Sequence, residues 1–234
     1  MTAVEKAYAE RRRYFLPPFD ETAKTPYKVF DSQEAVGEEA WAKISRVVDA
    51  CLHKGDKWKE ALEEKQRWSE STKALLESIA NPDTKKGLKY TVKTIVLVNY
   101  LINFHNRLSK KFIDGSNEEM AKYLRLPREV SDRFLTLFCT PTHDRGRAGF
   151  ATSKQSKDRR VVYTLIMYLL ANGKDMKVGS IQQLCDDMRL EQKEAMNLYR
   201  EAGCTCVKNR AGMVSVSLKV PLVFPPPKRG KKIS

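Results

Sequence analysis

Side chains able to do covalent or acid–base chemistry are few in this sequence, and their spacing is wrong for it. There are three histidines (His53, His105, His143) and five cysteines (Cys51, Cys139, Cys185, Cys204, Cys206). A zinc site needs C-x₂₋₄-C followed by a second pair, whereas Cys204-Thr205-Cys206 is a C-x-C alone. On a strand its two thiols share one face and enter a core. His53 and His105 fall on helical stretches with no cysteine at metal spacing. Asp186-Asp187 and Glu63-Glu64 are sequence neighbours on helices, so they point to different sides and read as solvated surface, not as an acid–base pair. No G-x-x-x-x-G-K-[ST], G-x-G-x-x-G or G-x-S-x-G occurs, which leaves phosphate-loop, dinucleotide and hydrolase readings without sequence support. Neither an enzyme, a cofactor, a metal nor a small-molecule substrate is expected.

What remains is charge. The 234 residues carry 43 Lys+Arg against 29 Asp+Glu, a formal net charge of +14. Residues 150 to 234 hold 16 of the cations and 7 of the acids, so the C-terminal third is the more basic. Such a balance favours polyanionic partners, or serves solubility. No apolar run approaches the roughly 20 residues of a membrane span, and no membrane role is expected. An odd number of cysteines without a signal peptide points to a reducing compartment.

The elements that must carry this charge follow from periodicity. Prolines 17, 18 and 26 predict an extended lead-in over residues 1–30. Helical spacing then covers Glu38 to Leu52, Lys57 to Ile79 (closed by Asn81-Pro82) and a long, almost wholly apolar helix from about Lys86 to Phe112, expected as a buried spine. An internal repeat comes next. Gly115-Ser116-Asn117-Glu118-Glu119-Met120 through Arg125-Leu126 returns as Gly179-Ser180-Ile181-Gln182-Gln183-Leu184 through Arg189-Leu190, at an offset of 64 residues. Each copy opens on a capping box, Ser116 with Glu119 and Ser180 with Gln183. Second helices follow from Pro127 and Glu191, giving two helix-turn-helices. After the second copy, Cys204 to Lys208, the turn formers 209–212 and the alternation Val214, Val216, Leu218, Val220 predict a β-hairpin. After the first, Thr140 to Ser156 shows no strand alternation and reads as a degenerate or longer wing. The expected fold is mainly α with small β-hairpins: a tandem winged helix with an N-terminal helical extension. Its parts are a lead-in (1–30), a first winged helix with the extension (31–156), a second winged helix (157–223) and a basic tail (224–234).

Candidate DNA-binding residues lie on the second helices (Arg128, Arg133, Lys193, Arg200), between the repeats (Arg145, Arg147, Lys154, Lys157, Arg159, Arg160) and at the second hairpin (Lys208, Arg210). Glu129, Asp132, Glu191, Glu194 and Glu201 share those helices, so the pattern favours a grip on phosphates over base reading. Tandem winged helices also serve as protein-interaction modules, and mixed charge leaves that alternative open. The tail Lys228-Arg229-Gly230-Lys231-Lys232 suits a solvated arm or an import signal.

The run Arg13-Tyr14-Phe15-Leu16-Pro17-Pro18, then Ala23, Pro26, Val29-Phe30 and Glu39-Ala40-Trp41, resembles the opening of the C-terminal region of the forty-nine-kilodalton subunit family of RNA polymerase I. Leu124-Arg125-Leu126-Pro127 and the stretch from Asp187-Met188-Arg189-Leu190 to Ala202-Gly203-Cys204 agree in order, and the likeness runs from about Arg11 to Val223. It implies a TFIIE-like tandem winged helix, non-catalytic and tethered to the polymerase, that binds double-stranded DNA near the upstream edge of the cleft. The expected role is support of initiation and elongation on ribosomal RNA genes in the nucleus and nucleolus. RNA polymerase I core and its initiation factor are the expected protein partners. Phe30 stands where the family usually has Tyr, and the family's N-terminal dimerisation domain has no counterpart here, which suggests an excised domain or a reduced homologue.

Overall fold

In the computed structural model, which describes residues 3–79, 85–108, 112–144 and 146–225, the repeat reaches well beyond the helix-turn-helices. The first copy runs α6 (Lys85–Arg107), β1 (Phe112–Asp114), α7 (Asn117–Leu124), α8 (Arg128–Phe138), β2 (Thr140–Asp144) and β3 (Arg147–Ala151). The second runs α9 (Lys154–Ala171), β4 (Lys177–Val178), α10 (Gln182–Asp187), α11 (Gln192–Glu201), β5 (Cys204–Lys208) and β6 (Val214–Leu218). Both sheets are antiparallel with equivalent strand order, β1-β3-β2 and β4-β6-β5. The 64-residue offset holds from the ends of α6 and α9 to the ends of β2 and β5. It breaks after the ends of β2 and β5, where β3 starts at Arg147 and β6 only at Val214.

Local chemistry repeats with the topology. Arg125 and Arg189 both adopt left-handed backbone, φ 55° and 51°. This lets the next residue turn back: Leu126 N–H donates to the Ala121 carbonyl at 3.2 Å and Leu190 N–H to Cys185 at 2.9 Å. Each leucine is thereby buried, while its arginine stays outside. The capping boxes differ. Ser116 accepts from Glu119 N–H while Glu119 reaches back to Ser116 N–H, as expected. The Ser180 box does not form; α10 starts one residue later, and Ser180 Oγ accepts only from Gln182 N–H, at 3.3 Å.

The first hairpin is a correction to the sequence reading. β2 and β3 pair fully from Thr140–Ala151 to Asp144–Arg147. Pro141 hid it, being tolerated because β2 is an edge strand, and so did Gly149. Glycine is required at 149, since a Cβ there would run into the Ile113 carbonyl oxygen of β1.

The core forms where α6 and α9 lie against each other. Val92, Ile95 to Val98, Leu101 and Ile102 are buried, as the spine reading expected. Every residue of α9 from Arg160 to Ala171 is buried too. Against α6 pack α3 (Glu38–Leu52) and α5 (Glu70–Ser78), while α2 (Ser32–Val36) and α4 (Trp58–Glu63) pack on α3.

Two further expectations change. The lead-in is helical over Ala3–Phe15, here α1, because no proline precedes Pro17 and its residues are good helix formers. The stretch 57–79 is two helices, broken at 64–69, where Trp68 Nε1 donates to the Leu62 carbonyl at 3.1 Å. Asn99 Oδ1 accepts Ser69 N–H, and Asp187 Oδ2 accepts Ser71 N–H at 2.8 Å. Asp187 is therefore the cap that fastens α5 to the second copy, not solvated surface. Asn81-Pro82, the residues from 226 on and Arg145 lie outside the described residues.

Candidate nucleic-acid interface

The sequence-derived basic residues separate into three groups once their partners are known. The first group holds the fold together. Arg133 of α8 donates through Nε to the Val36 carbonyl at 2.9 Å, closing the end of α2. Arg159 donates to the Leu137 carbonyl at 2.9 Å and stacks its guanidinium 4.6 Å from the Tyr14 ring centre, so it docks α1. Arg160 is 2% exposed. Its Nε donates to His105 Nδ1 at 3.3 Å and its Nη2 to the Leu108 carbonyl at 3.5 Å. Burial pulls the Arg160 pKa down to about 10. Burial first, then the positive charge of Arg160 and Lys157, holds His105 neutral, with its pKa lowered to about 3. Arg133 and Arg159 thus each engage a main-chain carbonyl of another element, and Arg159 also stacks on Tyr14.

The second group is exposed but tied to acids on the first copy. Arg128 lies 3.7 Å from Asp132, and Arg147 on β3 lies 3.5 Å from Asp114 on β1. α8 has little free surface, since α2 and α3 pack along it. Its Glu129 pairs with Lys43 of α3 at 3.4 Å and sits near Arg46 at 4.0 Å. The wall over α8 is thus electrostatic as well as apolar.

The third group is open. On α11, Ala195, Leu198 and Tyr199 face the core, and Tyr199 donates to the Leu165 carbonyl of α9 at 3.0 Å. The opposite face presents Lys193, Asn197 and Arg200, all exposed, at the i, i+4, i+7 spacing of one stripe. Arg200 lies close enough to β5 to pull the Cys206 thiol against the upward push of its burial. The hairpin beyond carries exposed Lys208 and Arg210. Asn209 shapes that tip, its side chain accepting Met213 N–H at 2.9 Å. Lys154 and Lys157 are exposed on the first turns of α9. Asn197 escaped the sequence reading, which weighed only charge; the i, i+4 spacing from Lys193 was its signal.

Burial pushes the thiols of Cys139 and Cys185 up to about 11 and about 12, and that of Cys204 further still. No group of three or more potential metal ligands occurs among the described residues. No helix among them is long and apolar enough to cross a membrane.

A protein family described as A49-like RNA polymerase I associated factor matches residues 2–225. No individual curated protein matches the sequence. The chain belongs to the A49-like RNA polymerase I associated factor family, and with it to transcription by RNA polymerase I.

Proposed function

We propose that each copy of the repeat is a winged helix and that the tandem grips duplex DNA by its phosphates, as a non-catalytic part of RNA polymerase I. The observation that carries this reading is the open α11 stripe, Lys193–Asn197–Arg200, beside a hairpin bearing Lys208 and Arg210. In a winged helix those are the groove-entering helix and the wing, and cations there neutralise backbone charge. Glu191, Glu194 and Glu201 on the same helix argue against a base-reading surface, so the grip is sequence-tolerant. Family membership supports a role beside the polymerase, in the nucleus and nucleolus, in starting and sustaining ribosomal RNA synthesis. The divisions 31–156 and 157–223 describe the two copies within this reading, although α9 begins at Lys154, inside the first of them.

Fluorescence anisotropy with duplexes of unrelated sequence tests it. Affinities should agree among duplexes and fall with salt at a log–log slope of about −0.9 per phosphate neutralised. Salt-insensitive binding, or none at low salt, would sink the reading.

A second reading has its own observation. Val207 is 57% exposed and Met213 49%, both on the second hairpin, where apolar side chains gain nothing from phosphates. This hairpin would then dock a polymerase or initiation-factor surface. Val207→Ser with Met213→Ser should release the polymerase while DNA affinity stays; an unchanged pull-down would remove this reading.

A further inference from the structure

A cavity of about 380 Å³ opens between the two copies at the start of α9. Lys154, Lys157 and Arg160 line it from α9, Arg189 from the α10–α11 turn, and His105 with Asn106 from α6. No carboxylate lines it among the described residues. Three observations converge there. α9 has 18 residues, and its cap satisfies Ser156 N–H through Ser153 Oγ at 3.1 Å. The N–H groups of Lys154 and Gln155 have no intrahelical acceptor, so the helix end offers donors and partial positive charge. Arg160 is buried, yet its Nη1 has no hydrogen-bond partner among the described residues. A buried cationic donor left unmatched is costly unless something supplies an acceptor. His105 supplies no counter-charge, being neutral and already accepting from Arg160 Nε.

We infer that this cavity seats one phosphate of a nucleic-acid backbone, held between the copies by Arg160, Lys154, Lys157 and the first turn of α9. The inference rests on the DNA-gripping reading above and adds a site away from the α11 stripe. A backbone phosphate suits it because the cavity opens to the surface, where Lys154 and Lys157 are exposed. Arg189 also lines the adjoining groove along α6, with Arg67 and Arg107. Glu70, Asp186 and Asp187 share that groove and balance its three arginines, so the positive charge is concentrated in the cavity itself.

The test uses the whole chain, with inorganic phosphate and a 20-base-pair duplex as separate probes at constant ionic strength. Lys154→Ala with Lys157→Ala alters exposed side chains and leaves the fold intact, which circular dichroism checks. In the wild type, phosphate should raise the melting temperature and shift the Arg160 Nε–H resonance; in the double variant both responses should vanish. Duplex affinity of the variant should fall about tenfold, and the salt slope should lose about 0.9 for each phosphate released. A variant matching the wild type toward both probes overturns the site while the α11 grip stands. A wild type that answers phosphate through these lysines but ignores duplex at low salt overturns both the nucleic-acid assignment and the DNA-gripping reading, leaving a site for a free anion.

Discussion

The two copies share a topology, a 64-residue offset and a left-handed arginine at the same turn, yet they do not present the same surface. In the first, α8 is walled in by α2 and α3, with Glu129 paired to Lys43 and Arg133 spent on the Val36 carbonyl. In the second, α11 is bare along Lys193, Asn197 and Arg200. A repeated fold therefore does not repeat a surface: the N-terminal helices cover α8 in one copy and leave the outer face of α11 open in the other.

Charge reversal breaks or sharpens this contrast most. Lys193→Glu with Arg200→Glu removes two phosphate contacts, which at 0.1 M salt corresponds to about 60-fold in duplex affinity on the counterion-release relation. Arg128→Glu on α8 should change it by less than about twofold, since Arg128 stands beside Asp132 on the covered helix. Equal losses from both helices, read by anisotropy, would erase the distinction between the copies.

The seam offers the next largest effect. His105 in α6 has buried Leu169 as its counterpart in α9, so only the first copy places a histidine at this position of the core. Its folded pKa, about 3, lies below the ordinary 6.5. The unfolded chain thus takes up the proton first, and the stabilisation present above pH 6.5 is lost as pH falls towards 3. Between pH 6.5 and 5 the loss should be about 2 kcal/mol, at roughly 1.4 kcal/mol per pH unit. His105→Gln keeps an acceptor for Arg160 and should flatten the urea-derived stability profile over that window; an unaltered slope would assign it elsewhere.

The smallest effect compares the two caps. Ser116→Ala should cost about 1 kcal/mol, as N-cap losses do, and Ser180→Ala less than about 0.5 kcal/mol because its reciprocal box is not made. Equal shifts in thermal midpoint would mean that both boxes form in solution.

Much of this fold could be read from residue patterns that act locally. The repeat, the apolar spine at Ile95–Val98, the Ser116 cap and the alternation of β6 all express short-range rules. What escaped depends on partners far along the chain. Arg160 reads as one more surface cation beside Arg159, and only the packing of α9 on α6 buries it against His105. Asp187 reads as solvated until α5 arrives to be capped, 116 residues away in sequence. The first hairpin was masked by Pro141 and Gly149, residues that weaken a strand pattern but fit an edge strand and a close backbone approach. For the candidate interface, charge alone names Lys193, Arg200, Lys208, Arg210, Arg133 and Arg159 alike; that the first four are exposed and the last two partly buried depends on packing.

Arg12 of α1 donates to the Pro225 carbonyl at 3.1 Å and lies 4.4 Å from the centre of the Phe224 ring, which in turn packs edge-on against Phe19. The described polypeptide is thus nearly a closed circuit. Tension applied through its two ends would be borne first by this clasp, and the α6–α9 core would feel load only after the clasp had opened. Under such a load that clasp would act as a mechanical fuse: residues 3–20 would peel away before either hairpin lost its pairing.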